Sequence, residues 1–97
     1  MAQVVWTRGA LRDVDRLHAF LASSNRDAAN RAVRAIRTGA KVLAAHPDIG
    51  RPVGSPIADM REWLIRFGNA DYVVRYRHEG DVAAILAIRH MREAGYQ

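Results

Sequence analysis

Apolar positions along the chain keep different spacings in turn, and each spacing predicts a different element. Residues 3–7, QVVWT, are rich in β-branched and aromatic side chains and read as a short opening strand. The spacing then lengthens: Ala10, Leu11, Val14, Leu17, His18 and Leu21 fall on one face of a helix that Thr7 can cap. SSN at 23–25 interrupts the pattern, and Ser24 with Asp27 makes the S-x-x-D signal of a second helix start. On that helix Ala29, Ala32, Val33, Ile36, Ala40, Leu43 and Ala44 share one arc, and Arg31, Arg34, Arg37 and Lys41 the adjoining one. Pro47 stops it, having no N–H for the helical ladder and driving the residue before it out of the α region. So short a break predicts an antiparallel helical hairpin.

PDIGRPVGSP, residues 47–56, reads as an irregular connection within one domain. Beyond it the spacing falls to two. REWLIRF, 61–67, sets Trp63, Ile65 and Phe67 against Glu62, Leu64 and Arg66, and YVVRYRH, 72–78, sets Tyr72, Val74 and Tyr76 against Val73, Arg75 and Arg77. GNAD and EGD are turns, and VAAILAIRH, 82–90, is apolar enough for the centre of a sheet. The order β-α-α-β-β-β predicts an α+β domain spanning 1–97, a helical hairpin packed on a small, mainly antiparallel four-stranded sheet. A two-residue turn at Glu79-Gly80 sets Arg77 opposite Val82, Arg75 opposite Ala84 and Val73 opposite Leu86. The side with Arg75, Arg77, Ile88 and His90 then becomes the working surface. The side with Tyr72, Val74, Tyr76, Ala83, Ile85, Ala87 and Arg89 becomes the core face.

Composition narrows the function classes. No cysteine is present, which removes disulfides and thiolate metal sites and fits a reducing cytoplasm. No secretory signal and no membrane-spanning apolar run is read, so a cytoplasmic protein away from membranes is expected. The four histidines lack metal-ligand spacing and no phosphate-cradling glycine loop occurs, so neither metal nor cofactor is expected. All but one of the fifteen basic residues are arginine and the net charge is +5, which suits an acidic partner, protein or nucleic acid.

LAAHPDIGRPV, MREWLIR, DYVVRYRH and ILAIRHMREAGY, in that order behind a helical hairpin, resemble the RelE/ParE superfamily of bacterial toxin–antitoxin toxins over Val5 to Tyr96. The resemblance implies a growth-inhibiting toxin of a type II system, of the kind associated with plasmid stabilisation. A cognate ParD-like antitoxin would neutralise it, and any DNA contact would come only through that antitoxin. ParE-like members inhibit DNA gyrase by binding; RelE-like members cleave mRNA on the ribosome. The long hairpin at 8–46, the valine after Tyr72, and the absence of lysine from the loop and second strand resemble the ParE side. The binding toxin is therefore the first expectation, and an endoribonuclease the second.

Each candidate residue carries two readings. Arg61, Arg75, Arg77, His90, Arg92 and Tyr96 are the candidates for target binding. Arg61, His90, Arg92 and Tyr96 are also the catalytic set if the protein is a ribonuclease, His90 as acid, Arg92 as phosphate clamp and Tyr96 as stacking ring. Against these stand a hydrogen-bonded His90, a Tyr96 ring packed on the fold, an Arg61 bridge to the loop, and solvated Arg75 and Arg77. For the antitoxin the candidates are Leu11, Val14, Leu17, His18 and Leu21 on the first helix and the basic Arg31, Arg34 and Arg37 on the second.

Overall fold

The computed structural model describes residues 1–54, 59–93 and 95–96. Strand β1 is Gln3–Trp6, followed by helices α1, Arg8–Ala22, α2, Arg26–Ala40, and the single turn α3, Val42–Ala45. Strands β2, Arg51–Pro52, β3, Met60–Phe67, β4, Ala70–Glu79, and β5, Val82–His90, complete one sheet in the order β1-β5-β4-β3-β2. β1 runs parallel to β5 and the other pairs are antiparallel. The expected α+β architecture is present, with a fifth strand where Arg51 and Pro52 pair with Glu62 and Arg61. No helix among the described residues is long and apolar enough to cross a membrane.

Thr7 caps α1 as its position predicts. Its hydroxyl oxygen accepts the Ala10 N–H at 3.3 Å and the hydroxyl donates to the Ile85 carbonyl at 2.7 Å, so the cap also seats the helix on β5. The second start differs: Asn25, not Ser24, accepts the Ala28 N–H at 3.0 Å. The helix expected to run to Pro47 ends at Ala40. Trp63 Nε1 donates to the Gly39 carbonyl at 3.2 Å, and Lys41 N–H reaches back only three residues, to Thr38. The i→i−4 ladder ends there and α3 starts afresh.

The hairpin register corrects the expected faces. The turn is Gly80-Asp81, with Gly80 at φ +54°, so Glu79 faces Val82 and Arg77 faces Ala84. Tyr76 faces Ile85 but Arg75 faces Ala87, which leaves Leu86 as the extra residue of a bulge. Beyond the bulge every side chain changes side. Ile88 and His90 join Tyr72 and Val74 under the helices, whereas Ala87 and Arg89 pass to the open face. Tyr72, Val74, Tyr76, Ala83, Ile85 and Ile88 pack there on Ala10, Val14, Leu17, Ile36 and Leu43.

Past the bulge β5 has outrun β1, whose last residue lies opposite Ile85. Side chains of α1 take the place of a strand: the Asp13 carboxylate accepts the Ile88 N–H at 2.8 Å and Arg16 donates to the Ile88 carbonyl at 3.2 Å. At the other edge the buried Tyr76 hydroxyl donates to the Pro47 carbonyl at 2.7 Å and accepts the Gly50 N–H at 2.9 Å. A Cβ on Gly50 would stand 2.7 Å from the Tyr76 ring, so only glycine lets the loop come this close.

Candidate functional site

The face of the sheet away from the helices carries a carboxylate surrounded by cations. Glu62 alternates outward on β3 opposite Arg75 on β4, and Arg51 pairs beside it from β2. Glu62 accepts from Arg75 at 3.0 Å, Arg51 at 3.2 Å and the Tyr96 hydroxyl at 2.7 Å. The Tyr96 ring lies against two guanidiniums, Arg75 at 4.6 Å and Arg89 at 5.2 Å from its centre. Arg89 also donates to the carbonyls of Met91 at 3.0 Å and Glu93 at 3.4 Å, curling the segment after β5 back over the strand. Arg51, Leu64, Val73, Arg89 and Met91 border an adjoining groove of about 300 Å³.

These contacts decide the ionisation. Burial pushes the Glu62 carboxyl up, but hydrogen bonds from Tyr96, Arg75 and Arg51 and the charge of Arg75 outweigh it, so the group stays below its ordinary value. Burial, followed by the hydrogen bond and negative charge of Glu62, pushes the Tyr96 phenol up to about 12. Near neutral pH the cluster is one carboxylate, one neutral phenol and three guanidiniums. Such a face recognises anionic or aromatic groups. Its one phenol already donates to Glu62.

The six target candidates do not converge. Arg75 and Tyr96 meet on this face, and Arg77 shares it with Glu79 at 3.6 Å from its guanidinium. Arg61 points to the helix side of β3 and bridges to the loop: it donates to the carbonyls of Asp48 at 2.9 Å and Gly50 at 3.0 Å and to the Asp59 carboxylate at 3.1 Å. His90, expected on the working surface, is instead on the helix side because of the bulge. Its ring meets Tyr72 edge-on at 5.4 Å, and its Nδ1 accepts the Arg92 N–H at 3.0 Å. The Arg92 side chain is exposed beside it. Arg51, Glu62 and Arg89 were not among the expected residues. Glu62 was detectable as an acid alternating onto an arginine-bearing strand face; Arg89 was hidden by the bulge.

The residues expected to meet an antitoxin also divide. Val14 and Leu17 belong to the core, since α1 buries that stripe on β5. Leu11 is 44% exposed, and Phe20, which was not anticipated, is 76% exposed. Phe20 borders a mostly apolar groove of about 490 Å³ with Leu17, Leu21, Tyr72 and His90, rimmed by Arg16 and Arg92. His18 Nε2 lies 2.7 Å from Asn30 Oδ1 and ties the two helices together. Arg31 pairs with Asp27 at 3.1 Å, whereas Arg34 and Arg37 line a shallow groove along α2 with Lys41.

Asp48, Asp59 and His78 bring potential metal-ligand atoms within 4.8 Å of one another, a grouping that their sequence spacing conceals. His78 Nδ1 lies 2.7 Å from the Asp48 carboxylate, and the Arg61 guanidinium lies 3.1 Å from Asp59. The guanidinium already supplies the positive charge between the two acids.

Residues 4–95 match the family described as the ParE toxin of the type II toxin–antitoxin system parDE. "Toxin RelE3" of Caulobacter vibrioides is 38% identical over 84 residues, covering 87% of this chain and 88% of the relative. "Toxin RelE2" of the same organism is 34% identical over 90 residues, covering 93% and 96%. Among solved structures, one described as "Chromosomal ParDE TA system from P. aeruginosa" superposes with a TM-score of 0.75 at 26% identity, covering 91% of this chain and 94% of that one.

Proposed function

Since the chain belongs to the ParE toxin family of type II toxin–antitoxin systems, we propose that it arrests growth in the cytoplasm by binding DNA gyrase rather than by cutting RNA. The observation that carries this reading is the dispersal of the four residues a ribonuclease site would need. Arg61 is committed to the loop, His90 faces Tyr72 under the helices, Arg92 stands beside it, and Tyr96 lies across the sheet with its hydroxyl given to Glu62. General acid–base catalysis requires its groups within hydrogen-bond reach of one reacting atom, and opposite faces of a sheet do not offer that. Arg51, Arg75, Arg89 and Tyr96 form the target contact in this reading.

The antitoxin is proposed to be a small acidic ParD-like protein. An amphipathic segment laid along the hairpin would bury Phe20 and Leu11 and bring carboxylates to Arg34, Arg37 and Lys41. The names of the two Caulobacter relatives keep ribosome-dependent mRNA cleavage as the second reading.

The test compares the two targets directly. Purified protein should slow gyrase supercoiling at comparable molar amounts, because inhibition without turnover is stoichiometric. Ribosomes translating a defined message should leave that message intact. Multiple turnover on the message would exchange the two readings.

A further inference from the structure

A glutamate on the solvent side of a sheet is normally hydrated, yet Glu62 is only 8% exposed. What covers it is the cluster itself, and the covering groups come from three separate parts of the chain: Arg51 on β2, Arg75 on β4 and Tyr96 beyond β5. Tyr96 is the one donor among them that lies outside the sheet. Remove the carboxylate and three guanidiniums converge with nothing negative between them among the described residues, while the phenol loses its charged acceptor. Among the described residues the Nε–H groups of Arg75 and Arg89 are already buried without a partner, so these residues offer the cluster no spare acceptor to compensate.

We propose that Glu62 is a positioning residue for the target contact. It anchors the segment after β5 on the open face and thereby orients Tyr96, Arg75 and Arg89, without meeting the target itself. The proposal rests on the open face being the surface that engages the target. It adds a residue whose effect passes entirely through others. Arg89 bends the segment inward through its bonds to the Met91 and Glu93 carbonyls, and Glu62 receives the ring at the end of that bend.

The experiment uses the full chain, freed from its antitoxin, as wild type, Glu62→Gln, Tyr96→Phe and the double variant. Hydrogen exchange at the amides of Arg92, Glu93, Gly95 and Tyr96 reports the anchoring. Colony survival on induction reports toxicity, and antitoxin binding with circular dichroism reports the fold. Each single variant should speed exchange roughly tenfold, the factor that one lost charge-assisted hydrogen bond carries. The double variant should be no worse than Tyr96→Phe alone, because without the phenol Glu62 has no link to that segment left to weaken. Killing should weaken in step while antitoxin binding stays unchanged. Wild-type exchange in Glu62→Gln, or additive effects in the double variant, overturns the anchoring with the target face left standing. Loosened exchange with undiminished killing overturns the target face itself, and the positioning role with it.

Discussion

Asp13 on α1 accepts the backbone N–H of Ile88 on β5 at 2.8 Å, completing a strand edge that no strand covers. The carboxylate is buried and Arg16 stands 3.5 Å from it. Asp13→Ala should therefore destabilise the protein by about 1–3 kcal/mol, the cost of orphaning a buried donor. Asp13→Asn keeps an acceptor oxygen and should cost less. Urea denaturation of the two variants checks the ranking; equal losses would remove the hydrogen bond from the explanation.

Arg61 should prove structural. Its guanidinium holds two loop carbonyls and Asp59, so Arg61→Ala should lower stability by about 1–3 kcal/mol while induced cells still die at a permissive temperature. A folded Arg61→Lys protein that binds antitoxin yet no longer kills would place Arg61 at the target.

The three tyrosines should all resist ionisation. Burial raises Tyr72 and Tyr76 above 10.0, and Tyr96 is held up to about 12. A phenol raised in the folded state contributes stability that is complete below its unfolded value and is lost as pH rises through the folded one. Tyrosinate absorbance of the native protein should thus rise later than in urea, and Tyr96→Phe should shrink the loss of stability between pH 10 and about 12. Glu62 has the opposite sign. Its carboxyl lies below 4.5 in the fold, so its contribution is present above that value and fades as pH falls through the folded one. Glu62→Gln should flatten that acid limb. A variant whose acid limb matched wild type would show that the carboxylate's ion pairs are not retained in solution.

Phe20 gives a test of the antitoxin surface that leaves the fold alone. It is 76% exposed, so Phe20→Ser changes little in the monomer. At the centre of a partner groove the same change should weaken antitoxin binding by roughly tenfold or more. Isothermal titration with the cognate antitoxin measures it; unchanged affinity would move the interface elsewhere.

Helices and strands were legible because their spacings are regular, and Pro47 and the glycine-bearing turns punctuate them. The bulge was not. ILAI places four apolar residues in succession, so alternation carries no phase through Leu86, and one extra residue there exchanges Arg89 with His90. EGD fits a two-residue turn at either of its overlapping pairs, and only packing selects Gly80-Asp81. The Glu62 cluster inherits both uncertainties, since its members come from four separate segments. Two residues of β2 and the Asn25 cap follow from tertiary contacts and local geometry that the residue types alone leave open.

The parallel pairing of β1 with β5 has a consequence for timing. Gln3–Trp6 has no sheet neighbour until Val82–Ile85 has been made, and the Thr7 cap waits for the same residues. Contacts this distant in sequence are slow to form, because loop closure must precede any reward. A nascent chain can build the helical hairpin early, but the open face and its arginines assemble only once Val82–His90 has been made. The hairpin is thus available to a partner before the sheet is complete.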